Sequence, residues 1–300
     1  MKSTLQTWAP TLAVLLSLWT GVRGAEVPHD TVSAQLISSA DTVYGSQPFL
    51  IGVKFKIAPG WHIYWRYAGD AGLPTGITWN LPKGWSVGPV LWPLPQRFTE
   101  KGPLTTYGYV DSVLLMAQVI APAQSPDTGD VALGANVDWL MCRESCVPGK
   151  ATLSHRLSIL ASRRLIEAHD PPAESQFAEW TGKLPLALDS TGWLVNSRVE
   201  KAGGSIRTVK LTLNFRHKAI LPSQVISWFP APTDDFGVKN IRLRRATDDT
   251  EVSLSVQSFT RDFEVGDTLE SVLIYRDSEG AKRGIRVATP LTIQSQTARR

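Results

Sequence analysis

Two cysteines, Cys142 and Cys146, are the only thiols in the 300 residues of this sequence, and three residues separate them. They follow residues 131–141, where apolar side chains recur at every second position, as in a half-buried β-strand. A loop of three residues can bring two Cα atoms within the roughly 4.4–6.8 Å that a disulfide requires. The spacing therefore predicts a strand that runs into a tight turn with a thiol at each end.

A disulfide across so short a loop constrains little of the unfolded chain, and loop entropy gives it only about 2 kcal/mol of stabilisation. The short ring therefore favours a bond that opens and closes over one that staples the fold. Two alternatives stay open at this point. The disulfide can pin a hairpin in a non-catalytic binding module, or Cys142 and Cys146 can bind copper(I) with Met141 as a third soft ligand.

The neighbours of the cysteines are expected to modulate thiol reactivity in opposite directions. Arg143 favours a thiolate, whereas Asp138 and Glu144 disfavour one. Strand alternation places Cys142 on the same face as Asp138 and on the opposite face from Trp139. We predict no metal site, since zinc would need two further ligands and the five histidines are scattered.

The first 24 residues have the pattern of a secretory signal peptide: a lysine near the start, a short apolar core and small residues before position 25. Export places the cysteines where disulfides form and persist. Cleavage would remove Lys2 and Arg23 and no acid, which lowers the formal net charge from +4 to +2. We therefore expect no nucleic-acid partner, and no transmembrane segment in the mature chain because no later apolar stretch is long enough.

The rest of the chain has the alternation of an all-β protein. Residues 49–57 give its clearest period-two pattern, and further strand patterns recur to residue 287. We predict two immunoglobulin-like β-sandwich domains in tandem, at 25–161 and 185–300, joined by a short helical or irregular linker at 162–184. The loop-rich residues 80–108 are typical of a lid or binding loop. The tryptophans between 61 and 139 indicate either a core or an aromatic groove.

Several motifs in the first half occur in the order found in a known family. They are DWLMCRESCVP around the cysteines and, upstream of it, PGWHIYW, GLPTGITWNLPKGW, WPLPQRF and TYGYV. With these motifs, residues 30–160 resemble the N-terminal periplasmic domain of the DsbD/ScsB thiol:disulfide interchange proteins. Residues 185–296 match that family less clearly.

The resemblance implies a periplasmic protein-disulfide reductase component that needs no cofactor. Its redox pair would be Cys146 as nucleophile and Cys142 as resolving cysteine, under a cap loop whose aromatic is Phe98 or, as second choice, Tyr107. Its partners would be thioredoxin-like periplasmic proteins of the disulfide isomerase or cytochrome c maturation type. The sequence has neither the membrane domain nor the C-terminal thioredoxin domain of the family, so a separate membrane electron conduit would supply the electrons.

Overall fold

A computed structural model of the protein describes residues 31–102, 104–123, 129–160, 174–202 and 207–292. The predicted signal peptide and the first part of the predicted linker, residues 162–173, lie outside these ranges. The described residues are mostly β-strand, which confirms the all-β fold class. No helix within the described ranges is long and apolar enough to cross a membrane.

Residues 31–160 form a first sandwich of two sheets. One sheet has the strand order β1-β3-β9-β6, and the other has the order β2-β11-β10-β4-β8-β7 with β5 also paired to β10. The strands are β1 (Val32–Ser38), β2 (Thr42–Tyr44), β3 (Pro48–Ile57), β4 (His62–Gly69), β5 (Gly76–Asn80), β6 (Ser86–Val87), β7 (Gln96–Thr99), β8 (Thr105–Tyr109), β9 (Ser112–Ile120), β10 (Gly129–Cys142) and β11 (Cys146–Leu160).

The alternating residues of β3 and β10 face each other and fill the core of this first sandwich. Ile51, Val53 and Phe55 are completely buried, and the Phe55 ring packs edge-on against Trp139 with ring centroids 5.5 Å apart. The remaining tryptophans of this half are buried or pack against the same core. Of the two interpretations of the aromatic run, the structure therefore supports the core.

The second half forms another pair of four-stranded sheets, with the orders β12-β19-β18-β15 and β13-β14-β17-β16. An immunoglobulin-like sandwich is consistent with these sheets. The strands of this second sandwich are β12 (Leu186–Ala187), β13 (Leu194–Lys201), β14 (Thr208–Arg216), β15 (Val225–Ala231), β16 (Phe236–Arg245), β17 (Thr250–Ser258), β18 (Thr268–Arg276) and β19 (Lys282–Pro290). Short 3-10 turns at Leu188–Ser190 and Pro222–Gln224 complete it.

The described part of the predicted linker contains helix α1 (Glu174–Thr181), which packs on the first sandwich. Phe177 of α1 is buried in a small cluster with Leu114 and Met116 on the outer side of β9. Those two residues alternate with the core-facing positions of β9, which explains why this strand is apolar on both faces. The helix is therefore a cover for the first sandwich.

The two sandwiches pack directly on each other through strands β4, β8 and β15. The Phe229 ring of β15 lies 5.1 Å from Tyr107 and 6.3 Å from Trp65, measured between ring centroids. An ion pair joins Arg66 to Glu270 across the same boundary, with a nitrogen–oxygen distance of 2.7 Å. Side chains of both halves thus belong to one continuous buried cluster.

Candidate functional site

A disulfide closes the long β10–β11 hairpin at its tip. The two strands pair without a register shift from Gly129↔Ile159 to Cys142↔Cys146, and the Cα atoms of the cysteines lie 4.2 Å apart. The connecting loop is further closed by a hydrogen bond from the Arg143 backbone N–H to the Ser145 carbonyl, at 3.3 Å. The predicted strand and tight turn are therefore both present, with the two sulfurs bonded.

The two cysteines differ sharply in burial. Cys142 is only 2% exposed and packs with Tyr64, Ala68 and Leu140, whereas Cys146 is exposed. Met141 points the other way, into the main core, as strand alternation requires. A reagent in solution therefore meets the Cys146 sulfur first, and Met141 does not lie on the face where the copper interpretation needs it.

Strand β4 supplies the wall behind the disulfide. Its His62 pairs with Cys142, and two residues on, the Tyr64 hydroxyl donates a hydrogen bond to Cys142 Sγ at 3.0 Å. The same hydroxyl lies 3.8 Å from Cys146 Sγ, so it borders both sulfurs. Burial, with a smaller contribution from the Glu100 carboxylate, raises the pKa of Tyr64 to about 12. The phenol therefore keeps its proton and remains a donor at neutral pH.

A glycine on the far side of Tyr64 fixes the position of the ring. Gly72 has a φ of +96°, and a Cβ built there would lie 2.3 Å from two carbons of the Tyr64 ring. Both the backbone conformation and the lack of space exclude a side chain. The loop that follows β4 therefore holds Tyr64 against the sulfurs by close backbone packing.

Phe98 covers the site through a histidine. Phe98 lies on β7, in the β7–β8 hairpin, and its half-buried ring stacks on His62 with centroids 4.7 Å apart and planes 18° from parallel. His62 in turn packs edge-on against Tyr64 at 5.1 Å. The first-choice cap aromatic, Phe98, is thus connected to the disulfide through two rings of β4: Phe98 stacks on His62, and His62 packs on Tyr64, which contacts the sulfurs.

Glu100 is the carboxylate nearest to these rings. One of its oxygens lies 3.3 Å from His62 Nε2, but the angles do not make a hydrogen bond, and this oxygen accepts one from the Thr106 hydroxyl at 3.1 Å instead. Burial lowers the pKa of His62, and the nearby Glu100 only partly opposes that effect. The imidazole is therefore neutral at pH 7.

The other predicted site residues are dispersed. Tyr107, the second-choice cap aromatic, is 4% exposed and lies between Phe229 and Tyr67, in the boundary between the sandwiches. The Asp138 carboxylate lies over the backbone of Gly76 on the neighbouring strand β5. Arg143 and Glu144 are exposed in the hairpin loop, where the Arg143 side chain passes beside Gly60.

Sequence reasoning missed His62, Tyr64 and Glu100 as parts of this site. One signal was available: in the His-Ile-Tyr run, the first and third residues must lie on the same face of a strand. Nothing local shows that this face meets the cysteines, because the pairing of β4 with the end of β10 joins residues about 80 positions apart.

The depressed pKa of His62 should make stability fall on acidification. The unfolded chain takes up a proton near the ordinary value of 6.5, whereas the buried imidazole resists it until a lower pH. The contribution of neutral His62 to the free energy of unfolding is therefore complete above pH 6.5. It is lost as the pH falls from 6.5 towards the lower pKa that His62 has in the folded protein. Between pH 7.5 and pH 5, the free energy of unfolding measured by urea denaturation should decrease less in His62→Gln than in the wild type. Equal losses in both proteins would exclude this role for His62.

Comparison with known proteins places this site in a family context. The family model described as "Thiol:disulfide interchange protein DsbD, N-terminal" matches residues 33–158, which include the hairpin, β4 and the Phe98 strand. No significant match is found among curated proteins.

Among solved structures, the chain is similar to the N-terminal periplasmic domain of ScsB from Proteus mirabilis. The TM-score is 0.60 at 19% sequence identity, over 87% of this chain and 94% of that one. The major pilin subunit BcpA of Bacillus cereus also matches, with 10% identity over 87% of this chain and 66% of the pilin, but its TM-score is 0.27. The first likeness shows a shared fold, and the second is too low to carry an argument.

Proposed function

Because residues 33–158 belong to the N-terminal domain family of the thiol:disulfide interchange protein DsbD, we propose that this protein transfers electrons through the Cys142–Cys146 pair. The first sandwich is a thiol:disulfide interchange module. The observation that carries the finer proposal is the asymmetry of the disulfide, in which one sulfur is exposed and its bonded partner is buried beside a hydroxyl donor. A purely structural hairpin staple requires neither the asymmetry nor the donor.

The exchange begins with the reduced protein and an oxidised partner. The Cys146 thiolate attacks one sulfur of the partner disulfide, forming a mixed disulfide and releasing the other partner sulfur as a thiolate. Cys142, after losing its proton, then attacks Cys146 Sγ. This second step restores the Cys142–Cys146 disulfide and releases the partner as a dithiol, so that two electrons and, overall, two protons have moved to it.

Tyr64 is suited to assist both cysteines. Its hydroxyl lies 3.0 Å from one sulfur and 3.8 Å from the other, and its pKa of about 12 keeps the proton on the phenol. A hydrogen bond to an anionic sulfur is stronger than one to a neutral sulfur. The Tyr64 hydroxyl therefore stabilises the thiolate form at each step, and the Phe98–His62 stack keeps that side of the pair away from water.

We further propose that the partners are thioredoxin-like proteins of the periplasm, of the disulfide isomerase or cytochrome c maturation type. The support is the family match, whose N-terminal domains act in that compartment. Cys146 lies at the exposed tip of the hairpin, and this narrow tip can enter the active-site groove of such a partner. A dithiol of a separate membrane electron conduit would return the pair to the reduced state.

Equilibration with glutathione redox buffers tests the proposal. An exchangeable pair should have a reduction potential above about −300 mV, since structural disulfides typically lie below that value. The reduced protein should also pass two thiol equivalents to an oxidised thioredoxin-fold protein, as counted by alkylation and mass spectrometry. The Cys142→Ser/Cys146→Ser protein is the control and should transfer none. A potential well below −300 mV, with cellular function intact in the double variant, would favour a non-catalytic binding module instead.

A further inference from the structure

The second sandwich has a broad polar face that no described element covers. The sheet β13-β14-β17-β16 turns alternate residues inward, where those of β14 and β17 are fully or almost fully buried. The other alternate residues form the outer face. The register aligns Glu200, Lys210, Ser255 and Lys239 in one row across the strands, and Arg198, Thr212, Ser253 and Arg242 in the next row.

This outer face concentrates the positive charge of the molecule. It contains six cations, Arg198, Lys210, Arg216, Lys239, Arg242 and Arg244, and only two carboxylates, Glu200 and Glu251. Its formal charge of +4 equals the +4 of all 300 residues. The rest of the chain is thus close to neutral, and the basic character of the protein lies on one sheet face.

Most of these cations are unneutralised. Arg244 pairs with Glu251 at 3.2 Å, and Arg198 lies 3.8 Å from Glu200. Within the described ranges, Lys210, Arg216, Lys239 and Arg242 have no ion-pair partner. An exposed cation of this kind is free to neutralise a charge on another molecule.

The centre of the face is concave. A cavity of about 400 Å³ is lined by the end of β13, by Lys210 of β14 and by the middle of β16 and β17. Its lining includes Lys201, Lys210, Arg242, Asn240, Ser253 and Ser255. Asn240, with a φ of +56°, lies at a bulge where β16 departs from regular pairing. The ammonium, guanidinium and hydroxyl groups around this cavity can donate hydrogen bonds to phosphate oxygens.

We propose that this basic face docks on the anionic phospholipid headgroups of a membrane surface. The middle of the face carries no aromatic or methionine side chain; the exposed Phe259 ring lies over Gly237 at one end, and Leu194 lies at a margin. Tight protein interfaces rely on aromatic and apolar anchors at their centre, which the middle of this face lacks. Adsorption to a charged lipid surface requires only clustered cations, each contributing about 1 kcal/mol.

The basic face and the cysteine pair lie on different sandwiches. The partner sheet of the same sandwich packs on the first sandwich through Phe229 and Val272, whereas the basic face lies on the other sheet. Cys142 and Cys146 belong to the first sandwich. Neither cysteine lines the basic cavity, although Asn240 at its edge also lies beside Arg97 and Thr105 of the β7–β8 hairpin. The proposed membrane contact does not depend on the redox assignment.

Vesicle binding by the full chain tests the proposal. Vesicles of phosphatidylglycerol and phosphatidylcholine should bind the protein at low salt, vesicles of phosphatidylcholine alone should not, and added salt should weaken the binding. Lys210→Gln/Arg242→Gln should weaken it about 30-fold, because two cations are removed from the contact. The matched control is Lys56→Gln/Arg156→Gln, which removes two exposed cations from the first sandwich and should leave binding nearly unchanged.

Three results would overturn the proposal. Binding that is equal for neutral and anionic vesicles would show that headgroup charge is not recognised. An equal loss in the control variant would show that only the net charge matters. Binding of a soluble polyglutamate probe that depends on Lys210 and Arg242, without binding of anionic vesicles, would identify the face as a site for an acidic protein.

Discussion

Cys142→Ser should convert the protein into a trap that accumulates a mixed disulfide through Cys146, whereas Cys146→Ser should accumulate almost none. The reason is access: Cys146 is exposed at the hairpin tip, but Cys142 is 2% exposed and packs against Tyr64. A sulfur that attacks a disulfide must approach it directly, so burial slows exchange steeply. We expect adduct yields to differ on the order of 100-fold between the two variants.

The measurement is a non-reducing gel with mass spectrometry, after the reduced variants have been incubated with an oxidised thioredoxin-fold protein. Ser145→Ala provides a matched control in the same loop, since it keeps both thiols and can resolve the adduct. Comparable adduct through Cys142 in the Cys146→Ser protein would contradict the assigned roles, because the buried sulfur would then be the nucleophile.

Phe229→Ala should destabilise the protein by about 3–5 kcal/mol, although Phe229 lies in the second sandwich, away from the disulfide. The ring is 2% exposed and packs edge-on against Tyr107 and Trp65 of the first sandwich. Its removal leaves a cavity in the buried cluster that both halves share. We therefore expect the wild-type halves to unfold in one cooperative transition and the variant to lose that coupling.

Urea denaturation followed by tryptophan fluorescence measures this effect, since Trp65 and Trp228 report on the two sides of the boundary. Phe259→Ala is the matched control: the same ring is removed, but Phe259 is 55% exposed, and the cost should be no more than about 1 kcal/mol. Equal losses in the two variants, or two separate wild-type transitions, would show that the halves are energetically independent.

The second prediction bears on the role of strand β4. Tyr64 of this strand contacts the disulfide, and the adjacent Trp65 packs on Phe229 of the second sandwich. Neighbouring residues of a strand point to opposite faces, so one short segment connects the redox site to the boundary between the halves. The division of the chain into two domains at residues 161 and 185 thus remains a proposal. Any such division must allow for the buried cluster that the two halves share.

The sequence was most informative where a local pattern decides the structure. The period-two alternation of residues 131–141 and the three-residue gap between Cys142 and Cys146 were enough to predict the hairpin and the face that each side chain takes. Strand alternation and a tight turn are set by a few consecutive residues, so no long-range information was needed. The all-β class followed from the same alternation.

Only the tertiary structure decided what surrounds the sulfurs. His62, Tyr64 and Phe98 reach the site because β4 pairs with the end of β10 and because the β7–β8 hairpin folds over it. Such pairings join strands far apart in the chain, and alternation does not specify which strands become neighbours. For the same reason, only the structure distinguishes the two candidates for the cap aromatic, Phe98 and Tyr107. Phe98 stacks on His62 next to the disulfide, and Tyr107, on the adjacent strand, lies in the boundary between the sandwiches.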